Sequence, residues 1–179
     1  LTKINDKLYL IGGSGFFENL FDIWEYDPLT NIWTDLSKTY PSSRTHHTAI
    51  NLNNKIYVYG GTRDKGEYKN KITYYNDLIV YDIQKQIWTE CDSCSIKRYL
   101  HSAINFENRM FVFGGYDGST YLNDLWEYDP LTNIWSQKSQ SNKITPRVKP
   151  SLTEINGRVF LFGGYNNDGC FLNDLWELC

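Results

Sequence analysis

Short runs that are apolar on both faces recur along the chain, and each is closed by two glycines. LYLIGG, IYVYGG, MFVFGG and VFLFGG end at Gly12-Gly13, Gly60-Gly61, Gly114-Gly115 and Gly163-Gly164, at spacings of 48, 54 and 49 residues. A period of this size marks a repeat architecture. After a polar loop each repeat resumes with an acidic and aromatic run, beginning at Asp22, Asp77, Asp124 and Asp174. Seven residues beyond Tyr26, Tyr81 and Tyr128 stand Trp33, Trp88 and Trp135. Strand length and turn chemistry divide each repeat into four strands, A to D. In the third repeat A spans about Tyr99 to Phe106, B Arg109 to Gly115 and C Asn123 to Asp129, with D starting near Ile134. Asn5-Asp6, Asn53-Asn54, Glu107-Asn108 and Asn156-Gly157 suit the positive φ of two-residue hairpin turns between A and B. Asp27-Pro-Leu-Thr-Asn31 and Asp129-Pro-Leu-Thr-Asn133 suit the corner between C and D. A strand apolar on both faces must be covered on both sides, as in a sheet held between two others.

The apolar run, the double glycine and the two spaced aromatics resemble the kelch repeat over essentially all 179 residues. The resemblance implies an all-β fold: a kelch-type β-propeller segment of four-stranded antiparallel blades, strand A innermost. The repeats fall at about 1–43, 44–97, 98–146 and 147–179. The first opens partway into its A strand and the fourth stops after C, which gives about three and a half blades. Propellers close with roughly four to eight, so the remaining blades are expected outside this sequence, in a longer chain. A closed ring of four is the alternative.

Composition narrows the function classes. With 41% hydrophobic and 16% aromatic residues there is ample material for a core. A net charge of -3 supplies no basic stripe, so nucleic acid is not the expected partner. No apolar run approaches the roughly 18 residues that span a bilayer, and a cytoplasmic location without membrane contact is expected. Cys91, Cys94, Cys170 and Cys179 do not form a disulfide framework. Cys91-Asp-Ser-Cys94 lacks the second ligand pair that zinc would need, so no metal is expected. His46, His47 and His101 sit at repeat positions and read as packing residues. The recurring Asp22, Asp77, Asp124 and Asp174 read as acceptors for loop amides.

Strand parity puts the B-C and D-A loops on one face, and these are the variable ones, so recognition is expected there. The second B-C loop, Thr62 to Tyr75, is about seven residues longer than the first and third. Arg44, Arg98 and Arg147 recur just before strand A. If A is innermost they lie around the channel mouth, where a guanidinium fork suits carboxylates or phosphates. They serve either a partner or every blade alike, by bonding a neighbouring blade's carbonyls or an Asp at the start of C. With Arg63, Tyr68, Tyr116, Asp117 and Tyr165 they form the candidate partner-binding set.

Enzyme readings find no support in motif: there is no phosphate loop, no nucleophile elbow and no identifiable copper or iron ligand set. No catalytic residue and no cofactor is expected. The expected function is a non-catalytic protein-interaction scaffold binding a protein or peptide, acidic or phosphorylated. The alternatives are the substrate-recognition part of a cullin-type ubiquitin ligase adaptor and, from another class, a sugar-processing or oxidative propeller enzyme.

Overall fold

The structure is a computed structural model describing residues 1–16, 19–37, 42–63, 72–139 and 143–178, with the backbone alone at Phe21. No helix occurs among the described residues. Blade one is β1 (Thr2–Ile4), β2 (Lys7–Ser14), β3 (Asn19–Asp27) and β4 (Ile32–Asp35). Blade two is β5 (Thr48–Leu52), β6 (Lys55–Tyr59), β9 (Leu78–Asp82) and β10 (Ile87–Cys91), with β7 (Thr62–Arg63) and β8 (Thr73–Tyr74) as a small ribbon at its B-C loop. Blade three is β11 (Ser102–Phe106), β12 (Arg109–Tyr116), β13 (Tyr121–Asp129) and β14 (Ile134–Lys138). Blade four is β16 (Ser151–Ile155), β17 (Arg158–Asn166) and β18 (Phe171–Glu177), with β15 (Arg147–Val148) paired to the end of β17. All pairings are antiparallel. This is the expected propeller segment.

The turns form for the reasons the sequence gives. Glu107 and Asn108 both take left-handed φ, of 51° and 57°, as the tight A-B hairpin requires. At the C-D corner Asp129 Oδ1 accepts the Leu131 N–H at 2.8 Å, and Asn133 closes the turn with a φ of 59°.

The A strands line up side by side and are stitched across blades. Thr2 Oγ1 donates to the Ala49 carbonyl at 2.7 Å, and Asn105 Nδ2 donates to the Asn51 carbonyl at 2.8 Å. The core lies between the blades because each B strand sends alternate side chains to opposite neighbours. From β6, Ile56 and Val58 join Tyr9, Ile11 and Ile23 of blade one. Tyr57 and Tyr59 join Met110, Val112 and Tyr128 of blade three. From β12, Phe111 and Phe113 meet Leu161 of blade four. At the two ends the alternation leaves Leu10 39% and Phe162 52% exposed.

Strand A of blade three starts at Ser102, three residues later than the pattern predicts. Leu100 takes a φ of 56° and breaks the strand, and His46 and Lys149 do the same at 56° and 52° in blades two and four.

Candidate functional site

Each joint between blades is built around the double glycine. A Cβ on Gly114 would stand 2.7 Å from the Arg147 carbonyl oxygen of the next blade, and one on Gly115 would stand 2.8 Å from His101 Cβ, just ahead of its own A strand. Both positions have positive φ, 64° and 98°, so only glycine fits without strain. The close approach permits backbone bonds across the joint: Gly13 N–H donates to the Arg44 carbonyl at 3.0 Å, and Gly61 N–H donates to the Arg98 carbonyl at 2.8 Å.

The arginine side chains turn the other way, into their own blades. Arg44 Nη1 donates to the Gly60 carbonyl at 3.1 Å and to Asp77 Oδ1 at 2.9 Å, while Nη2 donates to Asp77 Oδ2 at 2.7 Å. Arg98 repeats this on the Gly114 carbonyl at 2.9 Å and on Asp124 at 2.8 and 2.9 Å. Arg147 repeats it on the Gly163 carbonyl at 3.0 Å and on Asp174 at 2.6 and 2.9 Å. All three arginines have 0% exposure. Burial works against the charge on Arg98, yet the bond to Asp124 and the surrounding charges hold its pKa above the usual value. The Arg147 bond draws the Asp174 carboxyl down to about 2. The three aspartates therefore accept from guanidinium groups, where the sequence suggested loop amides. In blades three and four the indoles of Trp126 and Trp176, two residues on, also donate to them at 2.7 and 2.6 Å.

On the face carrying the B-C and D-A loops, tyrosines gather around Tyr99. Tyr99 meets Tyr116 edge-on at 5.6 Å, Tyr74 at 5.5 Å and His46 at 6.1 Å. Tyr116 in turn meets Tyr121 edge-on at 5.3 Å. Gly118 makes room for Tyr74, whose ring carbon would lie 3.1 Å from a Cβ there. Thus the end of the long blade-two loop leans on the B-C loop of blade three, and all four tyrosines are half-buried. Burial first, then the neighbouring phenols, raises the Tyr99 pKa, so its hydroxyl stays protonated and able to donate. Inward of the cluster, the Leu100 N–H donates to the His46 carbonyl at 3.1 Å and the Lys149 N–H to the Leu100 carbonyl at 2.7 Å, a run of backbone bonds along the inner rim. Desolvation and the Lys149 charge lower the His46 pKa.

Of the other candidate residues, Asp117 is occupied within its own turn, where Oδ1 accepts the Ser119 and Thr120 N–H groups, both at 2.7 Å. Burial would raise its pKa, but these bonds lower it. Tyr165 meets Phe171 edge-on at 5.2 Å, and Phe171 is 89% exposed. Arg63 lies half-buried in β7, opposite Thr73. Tyr68 falls outside the described residues. Sequence reasoning left Tyr74, Tyr99, Tyr121, His46 and Lys149 out of the set. The signal for Tyr99 was its place directly after Arg98, where Thr45 and Val148 stand in the neighbouring repeats.

His47 and His101 immediately precede the A strands and pack against the glycines. His101 is buried, with Nε2 2.8 Å from Thr48 Oγ1, and desolvation holds its pKa well below the usual value. Desolvation, then the Arg44 charge, brings His47 down to about 4. Among the described residues no group of three or more His, Cys, Asp or Glu side chains is placed to hold a metal ion. No helix there is long and apolar enough to cross a membrane.

The family model described as the KLHDC2/KLHL20/DRC7 Kelch-repeats domain matches residues 1–97 and 66–179. The chain is 29% identical over 173 residues to Kelch domain-containing protein 3 of Bos taurus, covering 90% of this chain and 45% of that protein. It is 29% identical over 147 residues to Kelch domain-containing protein 10 of Rattus norvegicus, covering 75% of this chain and 35% of that one. A Dictyostelium discoideum protein named as a probable serine/threonine-protein kinase is 31% identical over 173 residues, which are 92% of this chain and 13% of that protein. The chain spans less than half the length of each of these relatives.

Proposed function

The chain belongs to the kelch-repeat family, and from that premise we propose that it is a non-catalytic interaction scaffold which binds a protein segment on its B-C and D-A loop face. The observation that carries this reading is the cluster of Tyr74, Tyr99, Tyr116 and Tyr121, half-buried on loops drawn from two blades. Tyrosine offers a broad apolar ring with a polar tip at low conformational cost, which suits protein recognition. A preference for acidic segments is proposed to rest on exposed Lys149 and on Arg63. The three buried arginines are proposed to serve the scaffold. Further blades covering Leu10 and Phe162 are proposed to complete the ring, and the unpaired Cys91 and Cys94 suit a reducing, cytoplasmic setting.

The test is quantitative affinity capture from the native source with wild type, with Tyr99→Ser plus Tyr116→Ser, and with Leu29→Ser plus Leu131→Ser on the opposite face. Proteins retained by the wild type and the opposite-face variant but lost by the tyrosine variant support the reading. Equal retention by all three, with unchanged melting temperatures, contradicts it.

A further inference from the structure

Asp22 is the fourth member of the series Asp77, Asp124 and Asp174, but it is not paired as they are. Its Oδ2 accepts the Trp24 indole N–H at 2.9 Å, the same bond that Trp126 and Trp176 make in their blades. Its Oδ1 is buried and has no hydrogen-bond partner among the described residues. The Nδ2 of Asn19, on the same strand, is likewise buried and unpartnered. In blades two to four the matching Oδ1 receives an arginine Nη1 at 2.9, 2.8 and 2.6 Å, and that Nη1 also reaches the carbonyl of the first glycine. A buried carboxylate oxygen left unpaired is costly, and a guanidinium is the group this geometry satisfies three times over.

We infer that Asp22 Oδ1, the Gly12 carbonyl and the Ser14 edge form a binding site for an extended segment carrying an arginine. The side chain enters the blade toward Asp22. The residue after the arginine pairs antiparallel with Ser14, as Thr45 pairs with Thr62, Tyr99 with Tyr116 and Val148 with Tyr165. The spacing also defines how the same chemistry is supplied within one chain. Each arginine stands 17 residues ahead of the second glycine of its blade, and the same count back from Gly13 falls five residues ahead of Leu1.

The probe is the peptide Ser-Ser-Arg-Thr-His-His-Thr, which copies Ser42 to Thr48. It is titrated into the chain by calorimetry beside a second peptide with citrulline in place of arginine. Citrulline keeps the shape and loses the charge, and it requires no change to the protein. The arginine peptide is expected to bind saturably, to bind at least tenfold more tightly than the citrulline peptide, and to raise the melting temperature. In the carboxylate NMR spectrum it is expected to move the Asp22 resonance. Asp22→Asn, checked for folding by its own melt, is expected to remove the difference between the peptides.

A second arm grafts the same seven residues directly ahead of Leu1, which sets the arginine in register. The grafted chain is expected to melt higher than an Arg→Ala graft and to refuse the free peptide, which marks supply within one chain. A graft that melts no higher than the Arg→Ala graft and leaves the peptide site open overturns supply from the preceding segment. Equal binding of the two peptides, or no binding with an unmoved Asp22 resonance, overturns the inference.

Discussion

The joint between blades two and three and the outer side of blade one contain the same residues in the same register, yet they differ in what those residues touch. At the joint, Trp135 lies between Tyr128 of its own blade, at 5.2 Å, and Tyr59 of the preceding one, at 4.8 Å, and its indole N–H donates to the Asp92 carbonyl. On the outer side Trp33 keeps, among the described residues, the ring partner from its own blade, Tyr26 at 4.8 Å, and is 48% exposed. Asp124 receives Arg98, whereas Asp22 Oδ1 receives nothing among the described residues. Position in the repeat therefore fixes the local conformation, and the neighbouring blade decides what each side chain contributes.

The widest separation between the two regions is expected from Arg98→Ala and Asp22→Asn. Removing the buried guanidinium strands Asp124 and the Gly114 carbonyl, a loss of about 3–5 kcal/mol. Asp22→Asn removes no pair and should stay within about 0.5 kcal/mol. Denaturant melts of the two variants measure the gap, and equal losses would erase the distinction. Next come the tryptophans: Trp135→Ala should cost about 3 kcal/mol and Trp33→Ala under about 1 kcal/mol, read in the same way.

Acidification is expected to act first through the histidines at the joints and the inner rim. His47 and His101 are held neutral in the fold, below the usual histidine pKa of about 6.5. The unfolded chain takes up these protons first, so stability is full above about pH 6.5 and falls as the pH drops toward 4. Arg44 and His46 oppose the charge on His47, and Arg98 and His47 oppose it on His101. Melting temperatures across that window should decline in the wild type, and the slope should shrink in His101→Gln.

The smallest effect concerns a flaw within an inner blade. Tyr26 and Tyr128 donate their hydroxyls to Asn31 and Asn133 at 2.8 and 2.7 Å, but at the matching corner of blade two Gln86 replaces asparagine and the Tyr81 hydroxyl is buried with no partner among the described residues. Gln86 also has a φ of 54°, a conformation that asparagine tolerates better. Gln86→Asn should raise stability by about 1 kcal/mol, visible as a higher melting temperature.

The B strands, the tight turns and the blade count were legible because they rest on local rules: alternation, turn residues and the demand of a strand apolar on both faces. The start of strand A was not, since His46, Leu100 and Lys149 take left-handed backbone without being Gly or Asn, and only the inner-rim hydrogen bonds account for it. The arginines and aspartates were each legible as repeats. Their pairing was not, because Arg98 and Asp124 are 26 residues apart and nothing local points one at the other. The same holds for the tyrosine cluster, in which Tyr74 and Tyr116 meet around Tyr99 only after two blades have packed.

Because the arginine's main chain belongs to one joint partner and its side chain to the other, a repeat unit cut from the gene at any phase carries a donor half at one end and an acceptor half at the other. Tandem duplication of such a unit rejoins the halves without any new substitution. An array built this way can lengthen or shorten by whole blades and keep every internal seam intact, while its loops drift independently. The differing B-C loops of blades two, three and four, set on one repeated seam, are the record such a history would leave.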